Sequence, residues 1–421
     1  KWWHIETLWS QIMSEIRVTS VLGENGSDPV GLSTGFTVGP TSGTTATITH
    51  EGQASFTGIV TATTFVPTEG QLSHRNKVIN GAMTISQRGT SFTNIGGNTE
   101  QYTLDRFKLQ TNNLDQAVAT VSQDSSAPDG FSKSLKIQCT TAETSVENYE
   151  HARLIYDGEA FDFTDIGFGT SSAKKVTLSF WVKSNLTGTW GLNFWRGDAN
   201  RSNLRTYTIN SANTWEHKVI TLSADTTGGG VNADNGYGLR INWGLATGAN
   251  FATSHALDTW HGFQQQYFYP YDARNTNFYS STSNNFYLTG VQLEVGSVAT
   301  PFEHRSYVEE LARCHRYCYR QTNSAWAHFA IGQFASSTQV RAPYFYPKMR
   351  AAPTITFNNL YADNEMSGGG AVQSVASNKL SADGGSINWT IPSHSNGNQG
   401  RVCAIEADGS GSSYIQLTAE L

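Results

Sequence analysis

The segment Val176-Thr177-Leu178-Ser179-Phe180-Trp181-Val182-Lys183 places Val176, Leu178, Phe180 and Val182 at every second position. A period of two is the signature of a β-strand with one face buried. Half-buried strands need a second sheet to cover their apolar face, which predicts a two-sheet antiparallel sandwich. Further β segments are expected at Thr103–Leu109, Ser134–Cys139, Trp190–Trp195, Glu216–Leu222, Tyr237–Trp243 and Asn285–Glu294. Together they make residues 76–305 a unit of about 230 residues, the size of a jelly roll with long loops.

Composition points the same way. Aromatic residues are 12% of the chain, charged residues only 15%, and Gly reaches 40. Long helices would need more Lys, Glu, Arg, Leu and Ala, and disordered chains are poor in aromatics. At 421 residues, more than one domain is expected. The formal charge of −6 gives no general attraction to nucleic acid. No apolar run is long enough for a membrane span, and the N-terminus shows no signal-peptide core. Four cysteines are too few for a disulfide scaffold.

The chain divides unevenly. In residues 1–12, Trp2, Ile5, Trp9 and Ile12 fall near one helical face. They read as a short anchor helix, or as translated sequence ahead of an initiator at Met13. Residues 13–75 are small, polar and Thr/Gly-rich, with short alternating stretches at Gly35–Gly39, Thr45–Thr49 and Ala54–Phe65. Such a segment encloses little core alone. Three copies could share an axis, so an elongated stalk in a homotrimer is expected, with a loosely ordered leader as the alternative. Residues 306–324 read as a helical connector, with Val308, Leu311, Ala312 and His315 at helical spacing. Residues 325–421 return to β character, broken by Pro343, Pro347 and Pro353, and predict a second, smaller β-sandwich as a tip domain. The expected fold is therefore all-β: stalk, jelly-roll sandwich, small C-terminal sandwich.

The jelly roll should close on Phe286–Glu294. Simple alternation puts Tyr287, Thr289, Val291 and Leu293 on one face and Leu288, Gln292 and Glu294 on the other. Pro301 holds Thr300 extended, and Phe302 can plug the sandwich end. The run Leu288–Tyr307, continuing through Glu309–Tyr317, resembles the junction in tailed-phage tail-fibre and virion structural proteins. There a carbohydrate-binding-module-like jelly roll precedes a small C-terminal β domain. The opening Asn76–Met83, with Ser86–Gly89, resembles the other end of that unit. Met13–Val18 and Gly58–Phe65 resemble the N-terminal part of marine cyanophage-type fibres. The resemblance spans most of residues 13–350, and the Trp-rich first twelve residues depart from it.

That resemblance implies a fibre in the virion, joined to other tail or virion proteins through its N-terminus. Its partner would be host cell-surface polysaccharide or lipopolysaccharide. It also implies a structural Ca2+ near the sheet edge, for which Asp105, Asp162, Asp165 and Glu294 supply hard oxygens. From the residues themselves, flat aromatics suit sugar C–H faces, and Asn, Asp, Gln and Arg suit hydroxyl edges. Two clusters combine them: Trp195 and Arg196, then Trp260, Tyr267, Tyr269, Tyr271, Asp272 and Arg274. The second cluster reads equally as packing or a subunit contact.

Other chemistry is weaker. A glycanase needs two carboxylates about 5–10 Å apart, and Asp225, Asp234, Asp258, Glu143, Glu147 and Glu150 are candidates. Cys314 and Cys318 are four apart, the spacing of two packed core residues, of two metal ligands or of an awkward disulfide. The expected function is glycan attachment without catalysis. A structural connector or decoration protein and a depolymerase are the alternatives.

Overall fold

The structure, a computed structural model, describes residues 36–38, 46–48, 54–56, 73–262, 269–270, 276–363, 369–391 and 400–421. The chain falls into two units, Lys1–Val66 and Pro67–Leu421. In the first, the strands Phe36–Val38, Ala46–Ile48 and Ala54–Phe56 form one antiparallel sheet in chain order. The expected anchor helix over 1–12 lies outside the described residues, as does most of the expected stalk.

In the second unit a six-stranded sheet faces a seven-stranded one. The first runs in the order Glu216–Leu222, Val176–Ser184, Asn285–Val295, Ser134–Thr141, Val118–Asp124, Ser91–Gly96. The second runs Trp260–Gly262, Arg201–Ile209, Gly188–Arg196, Tyr237–Thr247, His151–Glu159, Phe107–Asn112, Thr99–Tyr102. All neighbours are antiparallel, and the chain crosses repeatedly from one sheet to the other, the jelly-roll arrangement. Val176, Leu178, Phe180 and Val182 point inward as their spacing requires. The Phe180 ring meets Tyr207 at 5.2 Å and Trp243 at 6.0 Å, both edge to face. Burying one such ring stabilises the fold by about 1.5–3 kcal/mol.

The closing strand departs from simple alternation. Phe286 and Leu288 are core residues, but so are Val291 and Leu293. The register jumps between the Trp181↔Thr289 and Ser179↔Gln292 pairs, where Gly290 has a φ of +61°. A bulge with glycine in the left-handed region adds one residue and resets which side chains face inward. Tyr287 and Thr289 thereby face outward, parted from Val291 and Leu293.

A second sandwich follows. Its three-stranded sheet is ordered Cys318–Thr322, Tyr414–Thr418, Thr354–Asn358. Its seven-stranded sheet is ordered Gly370–Ala371, Leu360–Asp363, Val402–Ala407, His328–Ser336, Gln339–Tyr344, Gly384–Thr390, Ser374–Ser381. Trp389, Phe334, Ile415 and Leu417 pack between them. The connector is shorter than expected: the helix spans Tyr307–His315, and Cys318–Thr322 already pairs with Tyr414–Thr418. Ser306 caps the helix, its Oγ accepting from Glu309 N at 3.3 Å. Val308 is exposed, while Glu310 and Cys314 are buried. Cys314 and Cys318 are free thiols, and burial pushes the Cys314 thiol well above its ordinary value. Among the described residues, no helix is long and apolar enough to cross a membrane.

Candidate functional site

The alternation that sends Phe180 inward sends its neighbours Trp181 and Lys183 to the outer face of the six-stranded sheet. Cross-strand pairing then decides their company. Trp181 lies opposite His217 on one side and Thr289 on the other, and Lys183 lies opposite Tyr287. Tyr287 is in turn opposite Lys136. The Trp181 and His217 rings are 5.0 Å apart, and Trp215 meets Tyr287 edge-on at 6.0 Å.

Gly290 lies beneath this group. A Cβ built on it would sit 2.7 Å from Phe131 Cζ and 2.9 Å from Trp181 Cδ1, so both rings close over the bare glycine. Phe131 continues the row to Phe302 at 5.0 Å and His304 at 5.2 Å. Phe302 thus packs on the outer face of the sheet beside Phe131. The result is a row of rings in which Trp181, Phe131 and Phe302 are half-exposed and His217 and His304 exposed, with half-exposed Trp215 and Tyr287 alongside.

Polar groups border the row. Lys183 Nζ is 4.1 Å from the Tyr287 ring centroid and 5.1 Å from that of Trp215. It donates to Ser126 Oγ at 2.6 Å. Lys136 Nζ is 5.4 Å from the same Tyr287 ring. Partial burial lowers the Lys183 pKa, with Asp124 opposing and Lys136 reinforcing the shift. Burial also lowers the pKa of His217. Flat apolar faces edged by donors form a surface that can stack a ring of matching shape and hold its polar edge. The signal for Trp181 was present in the sequence, one residue from Phe180 on the opposite parity. The signal for Tyr287 was hidden by the bulge.

The sequence-derived candidates are placed differently. Trp195 stands half-exposed on the outer face of the seven-stranded sheet, its Nε1 donating to Asn200 Oδ1 at 3.2 Å. Tyr237 and Arg240 flank it at 5.9 and 5.1 Å. Arg196 is a correction: it points into the core, 1% exposed, ion-paired with Asp225 and with its guanidinium carbon 4.6 Å from the Phe168 ring centroid. Trp260 is another: it is 8% exposed, its edge on Phe168 and its Nε1 donating to Ser223 O at 2.8 Å. Both side chains meet long-range partners that their local sequence does not announce. Tyr269 belongs to a short strand, Tyr269–Pro270, that pairs in parallel with Ala252–Thr253. Tyr267, Tyr271, Asp272 and Arg274 lie outside the described residues.

The four expected calcium donors do not form one shell. Asp105 accepts from Gln87 N at 2.8 Å and from Gln87 Nε2, while Glu294 accepts from Thr300 N and Oγ1 and from Gln292 Nε2. Asp162 and Asp165 line one cavity of about 530 Å³, where Asp165 pairs with Lys77 at 2.8 Å. Among the described residues, no three His, Cys, Asp or Glu side chains are grouped to hold a metal.

The carboxylates considered for hydrolysis have structural partners. Asp225 is held by Arg196 and Arg201, and Asp258 by Ser223 and Arg205. Glu143 accepts from Ala117 N at 2.9 Å, and Asp234 from Gly236 N at 2.8 Å. Glu150 accepts from Glu147 N.

No protein-family model and no curated protein matches the chain. Among solved structures, it is similar to the enzymatically active domain of tailspike protein 4 of bacteriophage CBA120, at 12% identity and a TM-score of 0.27. That match covers 52% of this chain and 21% of that one. It is similar to the CBM22-1 and GH10 modules of a Clostridium thermocellum endo-1,4-β-D-xylanase complexed with xylohexaose, at 11% identity and a TM-score of 0.25, covering 48% and 28%. It is also similar to the family 11 carbohydrate-binding module of Clostridium thermocellum in complex with a mixed-linked tetrasaccharide, at 9% identity and 0.25, covering 50% and 98%. At such TM-scores the architecture is defined by the strand order itself.

Proposed function

We propose that this chain is a glycan-binding structural protein that acts without catalysis. The observation that carries the reading is the row of exposed and half-exposed rings around Trp181, set over Gly290 and edged by Lys183, Lys136 and Ser126. An open aromatic surface on a rigid sheet offers a sugar ring stacking without a moving part. The structural engagement of Asp225, Asp258 and Glu143 favours binding over hydrolysis.

The junction Leu288–Tyr317, by its resemblance to tail-fibre proteins, supports a place in a phage virion. In that setting the chain works as a homotrimer, joined to the tail through its N-terminal segment. It contacts host polysaccharide or lipopolysaccharide, and weak single sites gain strength by repetition. A second reading, a connector that binds protein, is favoured by the C-terminal sheet. Ile331 and Val402 are 60% and 67% exposed on its outer face.

Glycan-array binding of the full chain tests the proposal. Wild type should retain saccharides that Trp181→Ala releases, without shortening them. Absence of saccharide binding by a folded wild-type chain overturns the proposal and leaves the connector reading. Shortened products would assign a depolymerase.

A further inference from the structure

We infer that the ring row on the six-stranded sheet selects saccharides that carry an anionic group, held between Lys183 and Lys136. This rests on the glycan reading above and names the class of glycan.

Two ammonium groups converge on one ring. Lys183 Nζ lies 4.1 Å and Lys136 Nζ 5.4 Å from the Tyr287 centroid. Three other cations of the sandwich, half-buried or buried, carry carboxylates: Lys77 pairs with Asp165 at 2.8 Å, Lys108 with Asp157 at 2.9 Å and Arg201 with Asp225 at 2.9 Å. The hydrogen-bond partner of Lys183 is instead the neutral hydroxyl of Ser126. Asp124, the acid that opposes the shift at Lys183, uses Oδ1 to accept from Ser126 N at 2.7 Å. Of the two histidines in the row, His217 and His304, His217 loses basicity through burial. Two like charges over one ring, with a hydroxyl as the bonded partner, repel each other until an anion arrives. In a chain with a formal charge of −6 this is a local reversal of sign. The adjacent rings supply stacking for the sugar that bears the anion. A carboxylate, sulfate or phosphate substituent meets the same requirement.

The test is calorimetric titration of the full chain with galacturonate hexamers, sulfated galactose hexamers and neutral galactose hexamers, at low and at raised salt. Anionic hexamers should bind about tenfold more tightly than neutral ones at low salt, and the preference should shrink as salt rises. Lys183→Gln should remove the preference, while Lys183→Arg should keep it. Trp181→Ala should weaken both classes together. Equal binding of sulfated and carboxylated hexamers assigns the preference to charge, and better binding of galacturonate assigns it to the planar carboxylate. Both outcomes support the inference. Equal or better binding of neutral hexamers, unaffected by Lys183→Gln, overturns it while the glycan reading stands. Failure of all three to bind to a folded wild-type chain overturns the glycan reading and the inference with it.

Discussion

The guanidinium carbon of Arg106 lies 3.5 Å from the centroid of the Tyr317 ring. Arg106 belongs to the jelly roll and Tyr317 to the turn after the connecting helix, so this contact joins the two sandwiches. Arg106 is buried, donates to Asp157 O and ion-pairs with Glu420, which also pairs with Arg88 at 2.9 Å. Arg350 adds a second tie, donating to Asn235 O at 2.7 Å and to Glu420 O at 2.8 Å. The expected tip domain is therefore fastened to the jelly roll by buried polar bonds.

Arg106→Met should cost about 3–5 kcal/mol, because it leaves Glu420 buried with half its counter-charge. Calorimetry should show one cooperative transition for wild type across both sandwiches. The variant should split it, with the C-terminal sandwich melting first. A variant that still melts in one step near the wild-type temperature would mean that other contacts couple the two.

Gly290→Ala should destabilise the chain by about 1–3 kcal/mol, since the new methyl meets two rings at a left-handed φ. Gly97→Ala is the matched control, with a φ of +62° and nothing within 4 Å of the added carbon. Near-UV circular dichroism should change for the Gly290 variant and stay the same for the control. A shared loss of stability with an unchanged ring signal would assign the cost to backbone strain alone.

Trp181 and Phe180 are chain neighbours with opposite roles. Phe180→Ala should cost about 3–5 kcal/mol in urea denaturation. Trp181→Ala should cost under about 1 kcal/mol and lower saccharide affinity at least about tenfold. Equal destabilisation by both would place Trp181 in the core rather than on a recognition surface.

Burial and the neighbouring Arg153 push the His151 pKa down to about 3 from an ordinary 6.5. The folded state prefers the neutral ring, so this group stabilises the fold above the unfolded value near 6.5. The contribution is lost as pH falls toward 3, at up to about 1.4 kcal/mol per pH unit. Glu150 works in the opposite direction. Burial, followed by Glu143, raises its pKa, so its contribution is present at low pH and lost as pH rises through the folded value. Urea denaturation between pH 4 and 8 should separate the two. His151→Gln should flatten the acid limb, and Glu150→Gln should raise stability at neutral pH. An unchanged acid limb in His151→Gln would rule out the first assignment.

Some of this was set by local sequence. The alternation of Val176–Lys183 determined a strand, its buried face and so the sandwich class, because side-chain direction in a strand depends only on parity. It also determined that Trp181 and Lys183 face outward. Tertiary structure decided their use. The bulge at Gly290 turned Tyr287 outward, and cross-strand register brought Tyr287, Lys136 and Lys183 together from three strands. The same long-range pairing drew Arg196 into the core against Asp225 and folded Trp260 onto Phe168, two residues whose types alone read as a sugar surface. Parity is a property of the chain, whereas register, bulges and ion pairs are properties of the partners that the fold brings alongside it.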